Sequence, residues 1–117
     1  MALDAKTGNR IPGFGVNGIV DLKQNNDQTI DPLSGEIGLH ATPVVARNVV
    51  IVGAAHRSGG VPTGKTNVKG YIRGFDVRTG KRLWIFHTIP EPGEFGNETW
   101  EKDSWVYTGN AGVWAQM

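Results

Sequence analysis

Apolar residues fall along this chain in short runs broken by glycine, proline and asparagine, and no run keeps a convincing helical period. Thr42-Pro43-Val44-Val45-Ala46 is short and β-branched. Asn48 turns the chain, and Val49-Val50-Ile51-Val52-Gly53 follows as a buried strand. Gly70-Tyr71-Ile72-Arg73-Gly74-Phe75 alternates large and small residues. Lys81 to Thr88 makes a further strand, with Trp84 as its anchor. Residues 41–88 thus predict four short strands joined by local connections, and a four-stranded antiparallel meander of this size is one propeller blade. Asp21 to Gly38 is polar, with asparagine, aspartate, proline and glycine, and reads as an excursion on one face.

Two segments repeat each other. Ala2-Leu3-Asp4-Ala5-Lys6-Thr7-Gly8 matches Gly74-Phe75-Asp76-Val77-Arg78-Thr79-Gly80. In each, an apolar strand end runs into Asp-x-x-Thr-Gly. The aspartate caps the turn backbone and the glycine supplies positive φ at its close. Asp4 and Asp76 are therefore structural rather than catalytic. Met1 sits inside the first turn motif, and Met117 follows Ala111 to Gln116 without a closing turn. Both ends are expected to fall within blades. The organisation is then the end of one blade plus the excursion over 1–40, one complete blade over 41–90, and the start of the next over 91–117. A blade cannot bury both faces alone, so the rest of the ring is needed for folding.

Composition narrows the function. With 17 glycines in 117 residues, many tight turns are expected, as in an all-β chain. The net charge of +1, with scattered cations, gives nucleic-acid binding little support. Cysteine is absent, which excludes disulfides and thiolate metal sites. No apolar run reaches the length of a membrane span, and the first residues hold no signal-peptide core.

One motif points elsewhere. Gly59 to Thr66 satisfies the phosphate-loop pattern G-x-x-x-x-G-K-T after a strand. That chemistry needs a helix directly after Lys65-Thr66 to present N–H groups to phosphate. Asn67-Val68-Lys69-Gly70 and the β-branched residues beyond make a poor helix, so a glycine-rich hairpin loop is expected instead.

The pattern Ala-x-Asp-x-x-Thr-Gly-x-x-x-Trp resembles the tryptophan-docking motif of propellers that bind pyrroloquinoline quinone (PQQ). Residues 74–84 fit it with Gly74 in place of alanine. Residues 2–12 have Pro12 where the tryptophan stands, so that blade is expected to close differently. Ala2 to Gly8, Phe14-Gly15-x-Asn17-Gly18-x-Val20-Asp21-Leu22 and Gly70 to Gly80 resemble membrane-type quinoprotein glucose dehydrogenases. Thr99 to Trp105, ending at Trp114, is similar to the methanol and glucose enzymes of the group. Gln24–Ile37 and Arg57–Lys69 match poorly.

The resemblance implies an all-β fragment of an eight-bladed propeller with the quinone at its axis. It implies oxidation of an alcohol or a sugar's anomeric hydroxyl, with Ca²⁺ or Mg²⁺ polarising the quinone in the parent enzyme. It also implies a periplasmic setting and electron delivery to membrane ubiquinone or a cytochrome. Trp114 corresponds to the indole that lies flat under the quinone, or else is a core tryptophan. Thr108 and Asn110, polar and just before it, would line the same site. His40 would hydrogen-bond the cofactor or simply hold a turn. His56 falls where related enzymes place polar cofactor contacts. Arg57 is either a partner for a cofactor carboxylate or a solvated loop residue. No acid stands at the matching metal-ligand positions, and the family's catalytic aspartate is expected beyond Met117, so neither a catalytic nor a metal residue is assigned. The fragment alone is expected to be inactive. A non-catalytic scaffold built from the same repeats is the alternative.

Overall fold

The computed structural model of this protein describes residues 1–33, 37–39, 41–56, 67–113, 115 and 117, with backbone alone at Ala55 and His56. Its strands are β1 (Ile37–Gly38), β2 (Val44–Ala46), β3 (Val49–Val52), β4 (Ala55–His56), β5 (Ile72–Asp76) and β6 (Arg82–Phe86). β2, β3, β5 and β6 form one antiparallel sheet in that order, the meander expected over residues 41–88. β1 and β4 pair separately, Ile37 opposite His56 and Gly38 opposite Ala55.

Register explains how the sheet is used. Val50 lies opposite Phe75, Val52 opposite Arg73, and Gly74 opposite Trp84. Opposed residues in an antiparallel pair share a face. Val50, Val52, Arg73 and Phe75 therefore point one way, and Ile51, Gly74 and Trp84 the other. The first face meets residues 1–22, and between them lies a mostly apolar cavity of about 310 Å³ lined by Phe14, Val20, Leu22, Val50, Val52 and Phe75, among others. Tyr71, Ile89, Ala54, Phe75 and Val52 are buried, and Arg73 is buried among them.

The second face is less covered. The indole of Trp84 lies so close over Gly74 that any Cβ there would overlap its ring. Even so, Trp84 stays 39% exposed and Phe86 60% exposed, so the expected anchor is half of one. A core tryptophan needs a layer on both sides, and the described residues supply one.

The polar excursion does not stand off the surface. Residues 21–28 lie as a strap along β5 and β6. Arg73 donates from its two terminal nitrogens to the carbonyls of Leu22 and Gln24, at 2.8 and 2.9 Å. Arg82 donates to Asn25 O at 3.0 Å and to Asp27 Oδ1 at 2.7 Å. The stretch read without any helix contains 3₁₀ turns at Asn97–Thr99, entered through Gly96 at φ 91°, and within Glu101–Val106, where left-handed Lys102 and Asp103 (φ 54° and 51°) kink the chain. Such short turns carry no apolar stripe, which leaves no periodic signal in the sequence.

Candidate functional site

The last described stretch, 107–113, runs beside the entry to β5. Asn67 N donates to Tyr107 O at 3.2 Å, Asn110 N to Val68 O at 2.9 Å, and Gly70 N to Asn110 O at 2.7 Å. Lys69 and Asn110 form a parallel bridge. Glycine makes this approach possible. A Cβ on Gly70 would meet Ala54 O, Asn110 O and Gly112 Cα, and one on Gly53 would meet Val113. Any side chain at either position would lift the 107–113 segment away. The chain is bent sharply there, with positive φ at Asn110 (62°) and Ala111 (39°).

Three parts of the sequence thus converge: the β3–β4 junction at Gly53, the β5 entry at Lys69–Gly70, and the Thr108–Val113 run. Of the expected site residues, Thr108 and Asn110 lie in this convergence. Thr108 N donates to Ser104 O at 3.1 Å. Asn110 Oδ1 is a buried acceptor with no hydrogen-bond partner among the described residues. Such an atom costs free energy unless something fills the gap. His56 closes β4, three residues beyond Gly53, and its side chain is not described. His40, Arg57 and Trp114 lie outside the described residues, as does the glycine-rich motif at 59–66. No helix follows that motif: residues 67–71 contain only the Lys69 bridge, and β5 begins at Ile72. The phosphate-loop reading therefore lacks the element its chemistry requires.

A second polar cluster went unread in the sequence. Tyr71 is fully buried and donates its hydroxyl to Glu91 Oε1 at 2.6 Å. Burial and this carboxylate push the phenol well above its ordinary range. The Tyr71 and His87 rings lie 4.3 Å apart. His87 Nδ1 is 2.9 Å from Glu94 Oε1, and Nε2 is 3.5 Å from Asp27 Oδ2. Glu94 is held below the usual carboxylate range by the Glu91 N–H and by His87. Burial, with Arg82 nearby, draws the Arg73 guanidinium down to about 10, so it stays charged at neutral pH. This cluster packs the strap and the 91–97 loop onto the blade. Among the described residues, no group of three or more His, Asp or Glu could hold a metal ion. A buried arginine inside an otherwise apolar strand was the one signal that could have located the strap.

The glucose/ethanol/alcohol dehydrogenase β-propeller domain family matches residues 1–117. A quinoprotein glucose dehydrogenase of Gluconobacter oxydans is 32% identical over 100 residues, covering 85% of this chain and 12% of that protein. The quinohemoprotein alcohol dehydrogenase ADH IIB of Pseudomonas putida is 31% identical over 127 residues, covering all of this chain and 15% of its own length. The large subunit of a glycerol dehydrogenase from Gluconobacter oxydans is 30% identical over 117 residues, again covering all of this chain and 14% of that protein. The chain therefore spans between a tenth and a sixth of these relatives. No solved structure matches it.

Proposed function

We propose that this chain, which belongs to the glucose/ethanol/alcohol dehydrogenase β-propeller family of PQQ-dependent quinoproteins, is a sector of an enzyme that oxidises a sugar or an alcohol, with the 107–113 segment lining its quinone site. The carrying observation is the seat of that segment on two glycines, Gly53 and Gly70, with the buried Asn110 Oδ1 left without a partner among the described residues beside it. Bare backbone and an unfilled polar atom fit a planar, polar cofactor better than they fit a sheet that closes on itself. When bound, the quinone supplies a two-electron acceptor for the substrate's hydride.

This chain's own residues would bind and orient. Asn110 and Thr108 would meet the polar rim of the quinone. Trp114, one residue beyond the Val113 that rests against Gly53, would offer its ring as a stacking floor. His40, His56 and Arg57 would supply hydrogen bonds and a cation to the quinone's carboxylates. The described residues do not fit a metal site. The substrate's proton acceptor, the periplasmic setting and a membrane quinone or cytochrome as electron acceptor would belong to the full-length protein. Among the described residues, no helix is long and apolar enough to cross a membrane.

The test is reconstitution of the full-length protein with PQQ and Ca²⁺ or Mg²⁺. A quinone absorbance and dye-linked oxidation of a sugar or polyol are expected, and Trp114→Ala should weaken PQQ binding. A protein that retains no quinone and oxidises none of these substrates would be a scaffold.

A further inference from the structure

Resting on that reading, we infer that Gln28 is a positioning residue for the quinone site, acting through the peptide of Lys69. Lys69 lies between two partners. Toward the site, its neighbours Val68 O and Gly70 N bond to Asn110. On the other side, where a strand would ordinarily pair, stands one side chain. Gln28 Nε2 donates to Lys69 O and Gln28 Oε1 accepts from Lys69 N, both at 2.8 Å. The amide of Gln28 thus stands in for the peptide of a missing strand and satisfies both groups of Lys69 at once. In an extended chain successive peptides face opposite sides. Fixing Lys69 from the strap side therefore sets the angle at which Val68 and Gly70 meet Asn110.

The Lys69 side chain extends the same hold. Its Nζ donates to Val106 O at 3.3 Å and lies 5.9 Å from the Trp105 ring centroid. One residue, braced by Gln28 from 41 positions away, touches the 105–110 stretch at its beginning and at its bend. Gly70 adds the tight fit: with Asn110 O and Gly112 Cα packed against it, a tilt of the Lys69–Gly70 peptide moves the segment rather than being absorbed by slack. The strap carrying Gln28 is anchored independently, by Arg73 at Leu22 and Gln24 and by Arg82 at Asn25 and Asp27. Gln28 is the point where that anchored strap reaches the site.

The experiment is a PQQ titration of the full-length protein, followed by quinone absorbance, with thermal melts of each variant. Gln28→Leu removes both bonds, and PQQ affinity should fall about tenfold, the order expected when a half-buried peptide loses both partners. Gln28→Glu keeps the acceptor for Lys69 N and should fall by less. Arg82→Met loosens the strap at Asn25 and Asp27 without touching Lys69. It should lower the melting temperature while leaving PQQ affinity within about twofold. Should Gln28→Leu not fold, Gln28→Glu against Arg82→Met carries the test. The inference is overturned if the Gln28 variants melt earlier but bind PQQ like the parent, or if Arg82→Met weakens binding equally. Failure of the parent itself to bind PQQ would instead strike the proposed function, and this inference with it.

Discussion

At Asp4 and at Asp76 a single carboxylate oxygen organises the same turn. Asp4 Oδ1 accepts from Lys6 N, Thr7 N and Thr7 Oγ1 at 3.0, 2.8 and 3.0 Å. Asp76 Oδ1 accepts from Arg78 N, Thr79 N and Thr79 Oγ1 at 3.0, 2.7 and 2.8 Å. The closing glycines, Gly8 and Gly80, hold φ of 71° and 69°. Beyond the turns the likeness ends. After Asp76 the chain enters a five-residue strand with Trp84 over Gly74. After Asp4 there is one bridge, Leu3 to Arg10, before Pro12 and a further turn carry the chain back so that Ala2 N reaches Gly18 O at 2.8 Å.

The positions before the turns differ as sharply. Arg73 is completely buried and Met1, its counterpart in the repeat, is 72% exposed. A five-residue turn motif therefore specifies a turn and nothing more. A strand pair grows from it only where cross-strand partners and a covering layer stabilise the flanks. The two copies also meet: Gly15 N, downstream of the first, donates to Thr79 O of the second at 2.7 Å.

The sharpest way to break the contrast is at the preceding residue. Arg73→Met strands the Leu22 and Gln24 carbonyls and should cost about 3 kcal/mol in urea melts. A loss below about 1 kcal/mol would mean water replaces the guanidinium and the strap needs no clamp. Next is the glycine under the indole. Gly74→Val must displace Trp84 and should cost about 2 kcal/mol, whereas Ala2→Val, at the matching position with Pro12 instead of an indole, should stay within about 0.5 kcal/mol. Equal costs would show that the indole is free to swing away.

The smallest effect comes from the turns themselves. Asp76 and Asp4 both titrate below the ordinary range, chiefly through the Thr79 and Thr7 N–H groups and then their hydroxyls. A carboxyl lowered in the folded chain stabilises it fully above the unfolded value, and that contribution is lost as pH falls through the folded one. Asp76→Asn should therefore flatten the decline in melting temperature on acidification below pH of about 4. Asp4→Asn should flatten it less, because its turn supports less sheet. Identical slopes would show the turns to be equivalent despite their surroundings.

Much of the blade was legible because its signals are short-ranged. The β-branched run at Val49–Val52, the alternation from Tyr71 to Phe75 and the two Asp-x-x-Thr-Gly turns each act within a few residues, and the sheet follows from them. The candidate site was legible in part. Thr108 and Asn110 were singled out as polar residues just before Trp114, and the structure places them where three segments converge. Gln28 was passed over because it sits in a polar stretch with no pattern, and its partner is 41 residues away. Residues 21–28 read as an excursion because polar composition reports contact with water or with buried cations equally well.

What the chain settles unaided is its turn chemistry and the order of its strands, since Asp4 and Asp76 find the same local donors in two different surroundings. Packing alone decided that Arg73 is buried, that the strap lies flat, and that Asn110 is held between Val68 and Gly70. Those contacts join residues dozens of positions apart, and their energy exists only once the sheet has brought the partners together.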